Sequence, residues 1–342
     1  ASNLCPSPLL VVMATRLFAL ALCSLVSIAW SAPTSLDAAV PAFVTFKHTF
    51  GKTYASAEEE VRRFEAFQAS VREVAEINAQ ATSWRAGLNQ FSDLTWDEFR
   101  STILMDPQDC SATHKAGGHE LRLKAPPSID WRDYGALNAV KNQGACGSCW
   151  TFSTTGCLES HVYLKTGVML NISEQQLVDC ASAFNNHGCN GGLPSQAYEF
   201  IRFNGGIDSE KAYPYTAKTA PTCSFQPDGV VAKVSDVVNI TQYDEAELLD
   251  AVGSIGPVSI AFEVAPDFRH YVGGIYDGEC HTDPQHVNHA VVAVGYGSDE
   301  SGAGYWTVRN SWGPAWGEAG HFKIARGVNK CGLAVCASYP VV

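Results

Sequence analysis

Gln143-Gly-Ala-Cys146-Gly-Ser-Cys149-Trp150 puts a thiol at the start of a run with apolar residues at near-helical spacing and no proline through Lys165. A thiol at a helix N-terminus faces unpaired N–H groups and the positive end of the helix dipole. Both favour thiolate over thiol, and the thiolate is the nucleophile. Two other chemistries use a Cys-x-x-Cys pair. A thioredoxin-type dithiol carries its tryptophan before the first cysteine, whereas Trp150 follows the second. A zinc half-site needs a second pair, and Cys180 and Cys189 are too far apart to form one.

A nucleophilic thiol needs a partner for its proton. Val287-Asn-His289-Ala-Val-Val and Tyr305-Trp-Thr-Val-Arg-Asn310-Ser-Trp312-Gly-Pro-Ala-Trp316-Gly follow downstream. Cysteine, then histidine, then asparagine, in these flanks, resembles the papain-like cysteine proteases. The resemblance implies Cys149 as nucleophile and His289 as its imidazole partner and later proton donor to the leaving amine. Asn310 is implied to hold the second ring nitrogen, and Trp312 to shield that bond from water. Gln143 and the Cys149 N–H are implied as the oxyanion hole, and Gly191-Gly192 as a wall for the substrate backbone. Pairing with an imidazolium brings such a thiol to a pKa of roughly 3–4, which keeps it armed in acid. His281, His286 and His289 together could suggest a metal. The thiol explains His289, the other two sit in a polar loop, and neither a metal nor a cofactor is expected.

These groups need elements to position them. From Ile129 to about residue 229 the pattern is helix-rich; from about Val230 it turns to strands such as Ala290–Gly295 and Tyr305–Arg309. The expected class is α+β: a papain-like fold of a helical lobe and a β-barrel-like lobe, with the active-site cleft between them. A helical inhibitory prodomain precedes it. An amphipathic helix is expected from Ala42, and a longer one opens at Ser56-Ala-Glu-Glu-Glu60. Glu59, Arg63, Phe67, Val74 and Asn78 resemble the interspersed pattern of papain-like prodomains, with Ser70 where asparagine is usual and Val74 where isoleucine is usual. Gly87-Leu-Asn-Gln-Phe91-Ser-Asp93 is the second prodomain motif. Such a segment inhibits its own enzyme, and protonation of Asp93 and neighbouring carboxylates is expected to loosen it in acid.

Twelve cysteines invite arithmetic. Cys5 and Cys23 precede a signal cleavage expected near Ser31–Ala32. Cys149 must stay free, and Cys157 reads as a buried free thiol. Eight remain, and sequence alone leaves their connectivity open. The resemblance implies Cys146–Cys189, Cys180–Cys223 and Cys280–Cys331, leaving Cys110 for Cys336. Asp106-Pro-Gln-Asp-Cys110-Ser-Ala-Thr113 resembles the mini-chain of the cathepsin H and aleurain branch of the family, departing at Asp106 and Asp109. There the Thr carboxylate, here Thr113, holds the substrate's free amino terminus and makes the enzyme mainly an aminopeptidase. The alternative is a cathepsin L-like endopeptidase without a retained mini-chain.

The expected organisation is an upstream extension and signal peptide at 1–31, prodomain at 32–105, mini-chain at 106–113, excised linker at 114–125 and peptidase at 126–342. Sequons at Asn171 and Asn239 fit a secretory route to a lysosome or vacuole, or secretion. Of 342 residues, 46% are hydrophobic and 17% charged, which suits a soluble globular chain. A net charge of −12 argues against nucleic acid and anionic membranes as partners. Peptide and protein substrates, the chain's own prodomain and cystatin-type inhibitors are the implied partners, and the chain is expected to be a monomer.

Overall fold

The computed structural model describes residues 36–81, 83–108, 110 and 125–342. The signal segment, Thr113 and all of the linker except Ala125 lie outside the described residues. Helix α1 (Leu36–Phe50) begins before the expected Ala42 and holds Pro41 inside it. Proline's fixed φ is helical, so the helix runs through it at the loss of one backbone bond. Gly51, at φ 61°, ends it. Helix α2 (Ala57–Gln80) starts where the Ser56 hydroxyl accepts the Glu59 N–H at 3.2 Å, with three glutamates in the first turn. Phe67 of α2 meets Phe43 and Phe46 of α1, ring centroids 5.3 and 5.0 Å apart. Phe67 and Val74 are buried, as is Ser70, whose hydroxyl has no hydrogen-bond partner among the described residues.

Asn78 then turns the chain. Its side chain donates to the Ala86 carbonyl and accepts from the Ala86 N–H, both at 2.9 Å. This sets strand β1 (Trp84–Ala86), an element absent from the sequence reading of a helical prodomain. Helix α3 (Trp96–Ile103) opens with a capping box between Thr95 and Glu98.

Strand β2 (Ile129–Asp130) leads into the body. Helix α4 (Cys149–Thr166) is buried continuously from Cys149 to His161, so it is the central helix rather than a surface one. Helices α5 (Glu174–Cys180) and α6 (Pro194–Asn204), with the short antiparallel pair β3 (Ile207–Asp208) and β4 (Val230–Ala232), complete the helical lobe. The second lobe follows as β5 (Asp236–Asn239), α7 (Glu245–Ser254), β6 (Val258–Phe262), β7 (Tyr271–Tyr276), β8 (His289–Ser298), β9 (Gly304–Arg309), β10 (His321–Ala325) and β11 (Ser338–Val341).

The strands order β1-β7-β10-β9-β8-β6-β11-β5, with β2 also on β8. Among the described residues, β10 and β7 are the one parallel pair of this sheet. Strand β8 is buried through its first nine residues, and Ser153 of α4 donates to its Val291 carbonyl at 2.7 Å. Strand β1 pairs antiparallel with β7, Trp84 opposite Gly274, so the prodomain adds a strand to the enzyme's own sheet. The fold is the papain-like α+β arrangement with a helical propeptide. Disulfides join Cys146 to Cys189, Cys180 to Cys223, Cys280 to Cys331 and Cys110 to Cys336. Cys149 and Cys157 are free and buried.

Candidate active site

Helix α4 begins at Cys149, so the backbone N–H groups of Cys149 and Trp150 face the sulfur. A third amide, from Ala290 at the start of β8, donates to Sγ at 3.3 Å. These contacts favour thiolate, yet burial outweighs them and pushes the thiol up to about 12. His289 opens β8 and Asn310 follows β9; the β8–β9 register, with Val292 opposite Arg309, brings them together. His289 Nε2 donates to Asn310 Oδ1 at 2.8 Å. That fixes the tautomer and leaves Nδ1, buried and without a partner among the described residues, to take a proton. Trp312 stacks on the imidazole at 4.7 Å and closes it from solvent. Burial brings His289 down to about 4.

Burial thus favours the neutral form of each group taken singly. Burial of both groups removes the water that would solvate separated charges.

Gln143 is also buried. Its Oε1 accepts from Ser311 Oγ at 2.7 Å, which turns Nε2 toward the cleft. There Nε2 donates to the carbonyls of Ile103 at 2.7 Å and Cys146 at 2.8 Å. The chain after α3 then tracks the cleft. A Cβ on Gly147 would come within 2.7 Å of the Leu104 carbonyl, Met105 N–H donates to Asn288 at 3.0 Å, and Asp106 N–H donates to Asn190 at 3.0 Å. A side chain at Gly191 would strike Met105 Cβ at 2.9 Å, so glycine permits this approach. Gly192 faces Trp150 and Asn186 instead. The backbone acceptor for Asp106 is thus Asn190 rather than the glycine pair.

Upstream, Phe91 and Phe99 meet Trp312 edge-to-face at 5.5 and 5.4 Å. Such pairs contribute roughly 0.5–1.5 kcal/mol each beyond area burial. Gln90 donates to the Trp312 carbonyl at 2.7 Å, and Asn89 to the Arg269 carbonyl at 2.7 Å. Glu73 of α2 reaches across to Arg269 and to His270 Nε2, the latter at 2.9 Å. Sequence reasoning missed Glu73 and His270, because neither lies in a motif and they meet only in three dimensions.

The remaining candidates lie apart. Asn171 is exposed and Asn239 half-buried. His281 and His286 stack on each other, each against a carboxylate, Glu263 and Asp283. Among the described residues no group of three His, Cys, Asp or Glu side chains could hold a metal ion, and no helix is long and apolar enough to cross a membrane.

Residues 125–341 match the papain family cysteine protease and residues 43–99 the cathepsin propeptide inhibitor domain (I29). The thiol protease aleurain of Arabidopsis thaliana is 53% identical over 305 residues, 89% of this chain and 84% of that protein. Pro-cathepsin H of Bos taurus is 53% identical over 289 residues, 84% and 85% of the two chains. Among solved structures, a digestive procathepsin L2 proteinase from the larval midgut of Tenebrio molitor superposes with a TM-score of 0.81 at 39% identity, covering 89% of this chain and all of that one. The chain belongs to the papain family of cysteine proteases, as a zymogen that carries its own inhibitory propeptide.

Proposed function

We propose that the matured protein is mainly an aminopeptidase with some endopeptidase activity, of the cathepsin H and aleurain type. Cys149 gives its proton to His289 Nδ1 and attacks the substrate carbonyl carbon. Gln143 Nε2 and the Cys149 N–H bind the resulting oxyanion. His289 returns the proton to the leaving amine, and water hydrolyses the thioester by the same route in reverse. Asn310 holds the ring without adding charge. Loss of the propeptide rehydrates the site, and the thiolate–imidazolium pair becomes the favoured form.

The Cys110–Cys336 disulfide carries the aminopeptidase reading. It ties the chain just past the cleft to the body, so cleavage on both sides of 106–113 leaves that peptide in place. Thr113 would then end in a carboxylate able to receive a substrate ammonium. Mass spectrometry of the matured, non-reduced enzyme tests this. Retention of 106–113, released by reduction, is expected; its loss on maturation leaves the endopeptidase reading. A secretory route to a lysosome or vacuole fits the signal segment and the exposed sequon at Asn171.

A further inference from the structure

Tyr215 lies outside every motif used above. Its Oη donates to the backbone carbonyl of Gln143 at 2.7 Å. The same oxygen is 2.6 Å from Ser148 Oγ. A phenol has one hydrogen, and it is committed to Gln143, so Ser148 is the donor in the second bond. The two partners bracket the loop 143–148: one carries the oxyanion amide, the other immediately precedes Cys149.

That loop is held in its middle by the Cys146–Cys189 disulfide and by the Gln143 Nε2 bond to the Cys146 carbonyl, and at its two ends by Tyr215. It contains Gly144, at φ 62°, and Gly147, so its backbone has more freedom than other sequences would allow. Ser311 orients the Gln143 side chain but does not fix the distance from Gln143 to Cys149. Tyr215 is itself held. Its N–H donates to Glu210 at 2.8 Å, and its ring lies edge-on to Phe152 in the first turn of α4, centroids 4.9 Å apart. The next residue, Thr216, donates its N–H to Gln175 of α5 at 2.8 Å. The hydroxyl is therefore a fixed point, anchored to the helix that carries the thiol.

We propose that Tyr215 is a positioning residue of the oxyanion hole: its hydroxyl bridges Gln143 and Ser148 and holds the amide donor in register with the Cys149 sulfur. This rests on the roles proposed above for Gln143 and Cys149. Burial pushes the phenol up and keeps it protonated, so the clamp adds no titration of its own. Removing an oxyanion donor outright costs about 10²–10³-fold in kcat, and loosening one should cost less, about 10–30-fold.

The test uses the full chain, matured, as wild type, Tyr215→Phe and Gln143→Ala. Three quantities are compared: kcat and KM on a short peptide amide, inhibition by a peptide aldehyde, and alkylation by iodoacetamide. The aldehyde adduct places an oxyanion-like oxygen in the hole; alkylation reads the thiolate and forms no oxyanion. Tyr215→Phe should lose kcat and aldehyde affinity by a similar factor. KM, the alkylation rate and both limbs of the pH profile should stay close to wild type. Unchanged aldehyde affinity, or alkylation falling in parallel, overturns the clamp. If Gln143→Ala is impaired and Tyr215→Phe is not, only the clamp fails; if Gln143→Ala keeps full turnover and aldehyde binding, the oxyanion assignment fails with it. Should Tyr215→Phe not fold, Ser148→Ala cuts the bridge from its other end. It should show a smaller loss with the same asymmetry, and absence of that asymmetry overturns the proposal.

Discussion

Gln143 Nε2 donates to the backbone carbonyl of Ile103 at 2.7 Å, so the last residue of α3 fills the place that the oxyanion reading reserves for substrate. Inhibition and recognition then use one donor. The amide keeps its bond to the Cys146 carbonyl, and the propeptide takes up its other hydrogen, which water or substrate must take up on release.

Burial also raises the Cys149 thiol, so the enclosed site disfavours the thiolate. Iodoacetamide should therefore alkylate Cys149 in the proenzyme at least about 10²-fold more slowly than in the matured enzyme at pH 7. Equal rates in the two forms would show that the propeptide does not set the state of the thiol.

Glu73 and His270 give docking a pH dependence with two separate windows. Hydrogen bonds from His270 and Arg269 bring Glu73 down to about 2. Its lowered value stabilises docking fully above the ordinary carboxylate value near 4.5, and that contribution is lost as pH falls through about 2. His270 is shifted down by burial and then by Arg269, against the pull of Glu73 and Asp267. A neutral imidazole is thus favoured in the docked state, and protonating it in acid sets a second cation beside Arg269 in a buried site. Acid release should begin at His270 while Glu73 is still ionised. His270→Gln should shift the midpoint of self-processing to lower pH. Glu73→Gln should shift it upward, consistent with about 1 kcal/mol after solvent screening of a half-exposed carboxylate. Half-times of processing between pH 4 and 7 measure both, and unmoved midpoints would remove this contact from the trigger.

The sequence motifs locate Cys149, His289, Asn310, Gln143 and the prodomain's second motif, because each sits in a run whose residue types are set by local geometry. The helix start at Cys149 and the strands at β8 and β9 are legible for the same reason. Strand β1 was not legible. Three residues carry no period, and their pairing comes from Gly274, which lets the chain at Ser83 approach. The Ile103 contact was hidden because a backbone carbonyl has no sequence signature. Glu73 and Arg269 are 196 positions apart, and no local pattern records their meeting.

Asp93 ties the prodomain together from inside. Its carboxylate accepts from Lys52 Nζ at 2.8 Å and Tyr54 Oη at 3.0 Å, and its backbone carbonyl accepts from Arg63 at 3.2 Å. Asp93 is buried, so Asp93→Ala would strand the Lys52 ammonium and the Tyr54 hydroxyl without an acceptor. The expected cost is about 2–4 kcal/mol, falling mostly on the prodomain. The proenzyme should melt in two steps, the first lowered, and should process itself at pH 7. A single unchanged melting transition would place Asp93 outside the forces that hold the prodomain folded.

Cys110→Ser tests the mini-chain at its only covalent tether among the described residues. The chain from Met105 to Gln108 is held at the cleft by backbone bonds to Asn288 and Asn190 and by packing on Gly191. The bond to Cys336 makes retention independent of those contacts. In the variant, processing should release 106–113 and open the cleft beyond Gly191. A carboxylate facing a substrate ammonium, worth about 2–3 kcal/mol when shielded, favours free amino termini by roughly one to two decades. Hydrolysis of substrates with a free N-terminus should therefore fall about 10–100-fold relative to wild type, while N-blocked peptides, no longer obstructed, should be cut faster. Both rates are read on the same matured preparation, so a general loss of active enzyme would lower them together. A variant that loses the peptide yet keeps its preference for free amino termini would show that specificity resides in the body of the enzyme and not in the tethered segment.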